Sequence, residues 1–110
     1  MNKTLKFAPN LVPLILSSEK KTTWRLFDDK GLQEGDIVDF LESGTKKYFA
    51  TARLIKVIEK SFSELTDADW DGHEKFNSEQ EMYDNYKKYY GVDVNSKTKV
   101  KIIKYTIQER

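Results

Sequence analysis

The 110 residues contain no cysteine. That excludes disulfides, thiolate zinc sites and cysteine nucleophiles together, and it makes the cytoplasm the default expectation. A single histidine is present, and a transition-metal site needs several convergent nitrogen, sulfur or oxygen ligands, so neither a metal nor a cofactor is expected. Only two prolines and five glycines punctuate the chain, and neither a low-complexity linker nor an internal repeat divides it. The longest apolar stretch, Leu11 to Leu16, is interrupted by Pro13. It falls far short of the roughly 18 residues of a membrane span, and no apolar secretion-signal segment follows Met1. A glycine-rich phosphate loop, a Walker motif and a G-x-S-x-G elbow are also missing.

What is there fits one domain spanning residues 1–110. With 38% hydrophobic residues, a chain of this length buries about two-thirds of its unfolded surface, which supports one core and not two. The 19 basic and 18 acidic side chains nearly cancel, but they are unevenly spread. Residues 1–60 carry 11 basic and 8 acidic groups, residues 61–95 carry 3 and 9, and residues 96–110 carry 5 and 1. Without an overall basic excess, tight duplex binding driven by counterion release is disfavoured, while a local basic cleft stays open.

Thr4 to Phe7 alternates like a short strand, and Leu11 to Leu16 predicts a short helix reaching Ser18, with Pro13 in its first turn. Glu19 to Phe27 reads as a loop with some extended character, leading into a turn at Asp28-Asp29-Lys30-Gly31. Ile37–Leu41 and Lys46–Ile58 predict a hairpin, the second strand apolar on both faces and therefore central or strongly curved. Thr66 with Asp69 predicts a single helical turn. Ser78 with Glu81 marks the start of a longer helix that carries Met82, Tyr83, Tyr86, Tyr89 and Tyr90 as a core stripe and stops at Gly91. Thr98 to Ile107 predicts a closing strand with a bulge between Ile102 and Ile103, where its apolar phase shifts.

Two segments could carry chemistry. Glu19-Lys20-Lys21-Thr22-Thr23-Trp24-Arg25 gathers two lysines, two hydroxyls, an indole and a guanidinium. Such groups can neutralise phosphate, bond to base edges and stack a base, which suits single-stranded nucleic acid or a nucleotide. The competing reading, which composition alone favours, packs Trp24 in the core and pairs Arg25 with Asp28 or Asp29. In the second segment, Asp71-Gly72-His73-Glu74-Lys75-Phe76, His73 or Glu74 could act as a general acid or base. The plainer reading there has His73 packed and Glu74 solvated. A third class, a protein-interaction module presenting the acidic face of helix 78–90, also stays open.

Several pieces in order resemble a known family over nearly the whole chain. They are Leu5-Lys6-Phe7 followed by Leu11-Val12-Pro13-Leu14-Ile15, then Ser18 to Arg25, Leu32-Gln33-Glu34-Gly35-Asp36, and Glu64-Leu65-Thr66 leading to Gly72-His73-Glu74-Lys75-Phe76. This set resembles the ASCH domain of the PUA-like superfamily. The resemblance implies an α+β fold, a small mixed PUA-like β-barrel with two or three short flanking helices. It also implies a cleft beside the lysine-threonine loop that takes RNA or a modified nucleoside. Some small ASCH proteins are similar to amidohydrolases that deacylate acetylated cytidine, and others are linked to cleavage of single-stranded RNA. Carried onto this sequence, the catalytic set falls on Lys20, Thr23 and Glu74, and Arg25 matches the closing arginine of the motif. Lys21, Thr22, Trp24, Arg25 and His73 become the RNA- or nucleotide-binding candidates. The doublets Lys20-Lys21 and Thr22-Thr23 each admit a second register one residue away. The hydrolase-type motif also carries a threonine in place of Lys21 and an aliphatic residue in place of Trp24. On the hydrolase reading, burial lowers the Lys20 pKa so that it takes the Thr23 hydroxyl proton, and Glu74 protonates the leaving amine.

Overall fold

The computed structural model describes residues 2–27, 30–73 and 75–108. Asp28, Asp29 and Glu74 therefore lie outside the described residues, and with them the predicted Asp28-Asp29 turn, the Arg25–aspartate pairing and the catalytic carboxylate.

Five strands form one mixed sheet in the order β1-β3-β4-β5-β2: β1 (Lys3–Phe7), β2 (Thr22–Arg25), β3 (Ile37–Glu42), β4 (Tyr48–Ser61) and β5 (Lys99–Gln108). Only β1 and β3 run parallel, with Leu5 opposite Phe40; the other neighbours are antiparallel. The sheet curls into a half-barrel, so that its two end strands approach each other. An Arg25 terminal nitrogen on β2 donates to the Lys6 carbonyl on β1 at 2.6 Å, and the guanidinium lies over the Phe7 ring at 4.6 Å. Among the described residues three α-helices flank the sheet, α1 (Val12–Leu16), α2 (Asp67–Trp70) and α3 (Glu79–Tyr90), and a 3-10 turn, Phe62–Glu64, follows β4. No helix among the described residues is long and apolar enough to cross a membrane.

Strand β5 separates two hydrophobic cores. Ile103 and Tyr105 pack with Leu5, Phe7, Ile15, Phe40 and Leu54 on one side. Val100 and Ile102 pack with Trp24, Phe62, Met82 and Tyr86 on the other. The apolar phase shift at Ile102-Ile103 therefore reflects a strand covered on both faces, and not a bulge at that position. The irregularity lies across the ladder, in β4: Leu54 pairs with Tyr105 and Lys56 with Lys104, which leaves Ile55 unpaired and exposed. A second shift at Phe40/Leu41 leaves Phe49 out of register. Each extra residue moves β4 side chains to the opposite face. Phe49 and Val57 consequently reach the same core as Ala50, Ala52 and Leu54, which accounts for the apolar character of both faces of this middle strand.

The segment expected as a loop between Glu19 and Phe27 contains β2. Its four residues pair with β5, Thr23 opposite Ile103 and Trp24 opposite Ile102, and that partner lies about 80 residues away in sequence. The helical starts follow the local signals. The Ser78 hydroxyl accepts from the Glu81 amide, and Gly91 ends α3 in the left-handed region at φ +70°. Asp69 closes the cap of α2 by accepting from the Thr66 amide (2.9 Å) and hydroxyl (3.1 Å).

Lys60 of β4 also reaches the Asp69 carboxylate, at 2.7 Å, and the Trp24 indole donates to the Asp69 carbonyl at 3.3 Å. Burial pushes the Asp69 pKa up, but the bonds from Lys60 and Thr66 outweigh it and hold the group below its ordinary range. A carboxyl with a folded pKa below its unfolded value adds stability above the unfolded pKa, and that stability is lost as pH falls through the folded one. The urea midpoint should therefore fall as pH drops below about 4. Asp69→Asn should flatten part of that acid limb, and an unchanged slope would contradict the assignment.

Candidate functional site

The site begins where α1 ends. Ser18 takes a left-handed conformation at φ +67° and turns the chain back, so that the Lys20 amide donates to the Leu14 carbonyl at 3.0 Å. The Tyr105 hydroxyl donates to the Lys20 carbonyl at 2.8 Å. The Lys20 side chain is 3% exposed, and its ammonium donates to the Thr22 carbonyl at 2.8 Å. Thr23, 4% exposed, follows on β2.

A second segment docks onto this start of β2. The Gly72 carbonyl accepts from the amides of both Lys21 (2.7 Å) and Thr22 (3.1 Å), and the Asp71 carbonyl accepts from the Thr22 hydroxyl at 2.7 Å. Lys104 of β5 adds bonds to the Ala68 carbonyl (2.7 Å) and to the Thr22 hydroxyl (3.3 Å). At Gly72, φ is +77° and a Cβ would sit 2.8 Å from Lys21 Cβ, so both the conformation and the contact require glycine. This docking lays the His73 imidazole on the Trp24 indole, with ring centres 3.8 Å apart and planes 18° from parallel. His73 Nε2 also lies 3.5 Å from the Tyr86 hydroxyl.

Between the two segments, the open edge of the sheet and α3 lies a cleft of about 490 Å³. Lys20, Thr23, Trp24, Arg25 and His73 all line it. Lys21 and Thr22 do not: Lys21 is exposed elsewhere, and Thr22 is buried beneath Asp71 and Lys104. Trp24 departs from the stacking role expected of it. Its indole is 3% exposed, packed face-on by His73 and edge-on by Trp70 and Phe62, so no open ring face is offered to a base. The packed reading, favoured by composition, describes its position.

Other residues of the cleft were given no ligand-binding role from the sequence. Lys6 and Asn10 come from β1 and the turn after it, Lys75 and Phe76 from the segment after His73, and Glu81, Asn85 and Tyr89 from α3. The last three share a spacing of four, one row of a helix. The adjacent row, Met82, Tyr86 and Tyr90, packs on the second core. The expected tyrosine stripe thus divides between two faces, and Tyr89 is 69% exposed. The signal was available in the polar pair Glu81 and Asn85, which precede Tyr89 at that same spacing. The described charged side chains lining the cleft are Lys6, Lys20, Arg25 and Lys75 against Glu81. No group of three or more His, Asp or Glu side chains able to hold a metal occurs among the described residues.

Solved structures share this architecture. An ASCH domain from Lactobacillus crispatus superposes with a TM-score of 0.67 at 12% identity, over 89% of this chain and 70% of that one. The fold is that of an ASCH domain. A protein from Enterococcus faecalis, assigned to the family model DUF984, matches this ASCH fold with a TM-score of 0.80 at 15% identity, over 97% of this chain and 80% of its own. A Pyrococcus furiosus protein solved in solution matches with a TM-score of 0.68 at 23% identity, each chain covered fully. No family model matches the sequence, and no curated protein matches it.

Within this ASCH fold the site depends on the Gly72 docking. Gly72→Ala should lower stability by about 1–3 kcal/mol through strain at a left-handed position and the Lys21 contact. Urea denaturation measures the loss, and a variant as stable as the parent would show that the segment docks by other means.

Proposed function

We propose that the cleft binds a nucleoside unit, presented by RNA or as a free modified nucleoside or nucleotide. The observation that carries this reading is the convergence of Lys6, Lys20, Arg25 and Lys75 on a cleft of about 490 Å³ that Tyr89 also lines with an open aromatic ring. Pockets of this size hold ligands with surfaces that are mostly buried on binding. Lysine and arginine neutralise phosphate, and an exposed tyrosine offers a stacking face. The roles given in sequence to Lys21 and Trp24 pass on this reading to Lys6, Lys75 and Tyr89, which have the exposure that contact with a ligand requires.

A titration of short single-stranded RNA, followed by tryptophan fluorescence, tests it. With about three phosphates neutralised, log K should fall with log salt at a slope of roughly −2. Lys6→Ala and Lys75→Ala should each weaken binding by about three- to tenfold, and Tyr89→Ala by about tenfold. Absence of saturable binding to RNA, nucleosides and nucleotides alike would overturn the reading.

A second reading is favoured by one observation, the burial of Lys20 and Thr23 in the wall of the same cleft. In it the protein is an amidohydrolase acting on acetylated cytidine. Lys20 takes the Thr23 hydroxyl proton, the Thr23 oxygen bonds to the acyl carbon, and the carbon–nitrogen bond breaks as Glu74 protonates the leaving amine. Water then releases acetate from Thr23. Incubation with acetylcytidine should yield cytidine, and Lys20→Met should abolish that turnover. Turnover unchanged in Lys20→Met would exclude Lys20 as the base.

A further inference from the structure

Among the described residues, three helical starts have a serine or threonine cap with an acidic residue three positions on: Ser61 with Glu64, Thr66 with Asp69, and Ser78 with Glu81. In the first two the carboxylate turns back and accepts the amide of the capping residue, Glu64 from Ser61 and Asp69 from Thr66, each at 2.9 Å. At the third, only the serine half of the exchange forms, with the Glu81 amide donating to the Ser78 hydroxyl at 3.1 Å. Glu81 lines the cleft instead, and its carboxylate makes no hydrogen bond or ion pair with the described residues. Asn85, one turn on, is fixed against the same stretch of helix by its amide nitrogen, which donates to the Glu81 carbonyl at 2.9 Å. An acceptor withheld from a cap that its own sequence provides, in a wall otherwise supplied with cations, is suited to a donor on the ligand.

Resting on the nucleoside-binding reading above, we infer that Glu81 is the specificity-determining residue of the cleft and that it selects guanine. An ionised carboxylate only accepts, through two oxygens side by side. It repels phosphate, so it faces the base end of a nucleotide and leaves the phosphate to Lys6, Arg25 and Lys75. Among the four bases, guanine alone presents two adjacent N–H donors, at N1 and N2, on its pairing edge. Adenine and cytosine set one amino group beside a ring acceptor, and uracil flanks its one N–H with two carbonyls. Each of these three meets one carboxylate oxygen with a lone pair of its own. A polar group that loses its partner on binding opposes association, so the mismatch lowers affinity for the other bases.

The test is a titration of the full chain with the 5′-monophosphates of guanosine, adenosine, cytidine and uridine. The guanosine nucleotide should bind at least tenfold more tightly than the other three. Glu81→Gln, which keeps size and removes the second acceptor, should bring it to their level while changing them by less than twofold. Amide spectra of the variant should match the parent outside the cleft. Equal affinity for all four in the parent, or a guanine preference that survives Glu81→Gln, overturns the inference and leaves the nucleoside-binding reading in place. Binding of none of the four, nor of RNA, overturns both.

Discussion

Burial of β5 on both faces is the constraint on which the structure depends. Ile103 and Tyr105 close the core inside the half-barrel, and Val100 and Ile102 close the core under α3. A strand covered twice cannot shift by one residue without exchanging the two sets, so its register with β4 and β2 is held firmly. That register also sets the site. Tyr105 reaches back to the Lys20 carbonyl, and Lys104 reaches the Ala68 carbonyl of the segment that carries His73.

The cleft is built by docking two irregular segments onto this frame. Most of its precision comes from backbone groups, which side-chain substitution changes least. Gly72 contributes one carbonyl to two amides, and Lys20 is anchored through its amide, its carbonyl and its ammonium. Arg25 occupies the gap between the two end strands, where the sheet stops short of closing. One guanidinium thus joins the sheet edges and lines the cleft at the same time. The stacked rings of Trp24 and His73 line the cleft, and Trp70 packs edge-on against both from behind, an arrangement that restricts ring rotation.

Much of this was legible in the residues. The Ser78 cap and the Gly91 stop delimit α3 because both signals are local. Thr66-Asp69 marks α2 for the same reason, and the order of short motifs from Leu5 to Phe76 is sufficient to suggest the ASCH fold. What escaped was non-local. Strand β2 is four residues long and exists through its pairing with β5. The bulge at Ile55 is visible only across the ladder, while its sequence echo, the phase shift at Ile102-Ile103, has a different cause. In the site, Lys20 and Thr23 both line the cleft wall. Thr22 is held beneath Asp71 and Lys104, and Lys21 is exposed away from the cleft. Trp24 could be assigned to packing or to stacking from composition, and only the positions of His73, Trp70 and Phe62 around it distinguish the two. Tyr89 was hidden in a stripe whose neighbours are all core residues.

The central claim, that the cleft between β1, β2, the His73 segment and α3 is where this protein meets its ligand, can be tested most directly by amide chemical-shift mapping during titration with a nucleoside 5′-monophosphate. Perturbations concentrated in residues 6–11, 20–25, 73–76 and 81–90, with β4 and the Lys99–Lys101 end of β5 unmoved, are the predicted result. Saturable shifts centred on the lysines of β4 and β5, with the cleft residues unchanged, would contradict it.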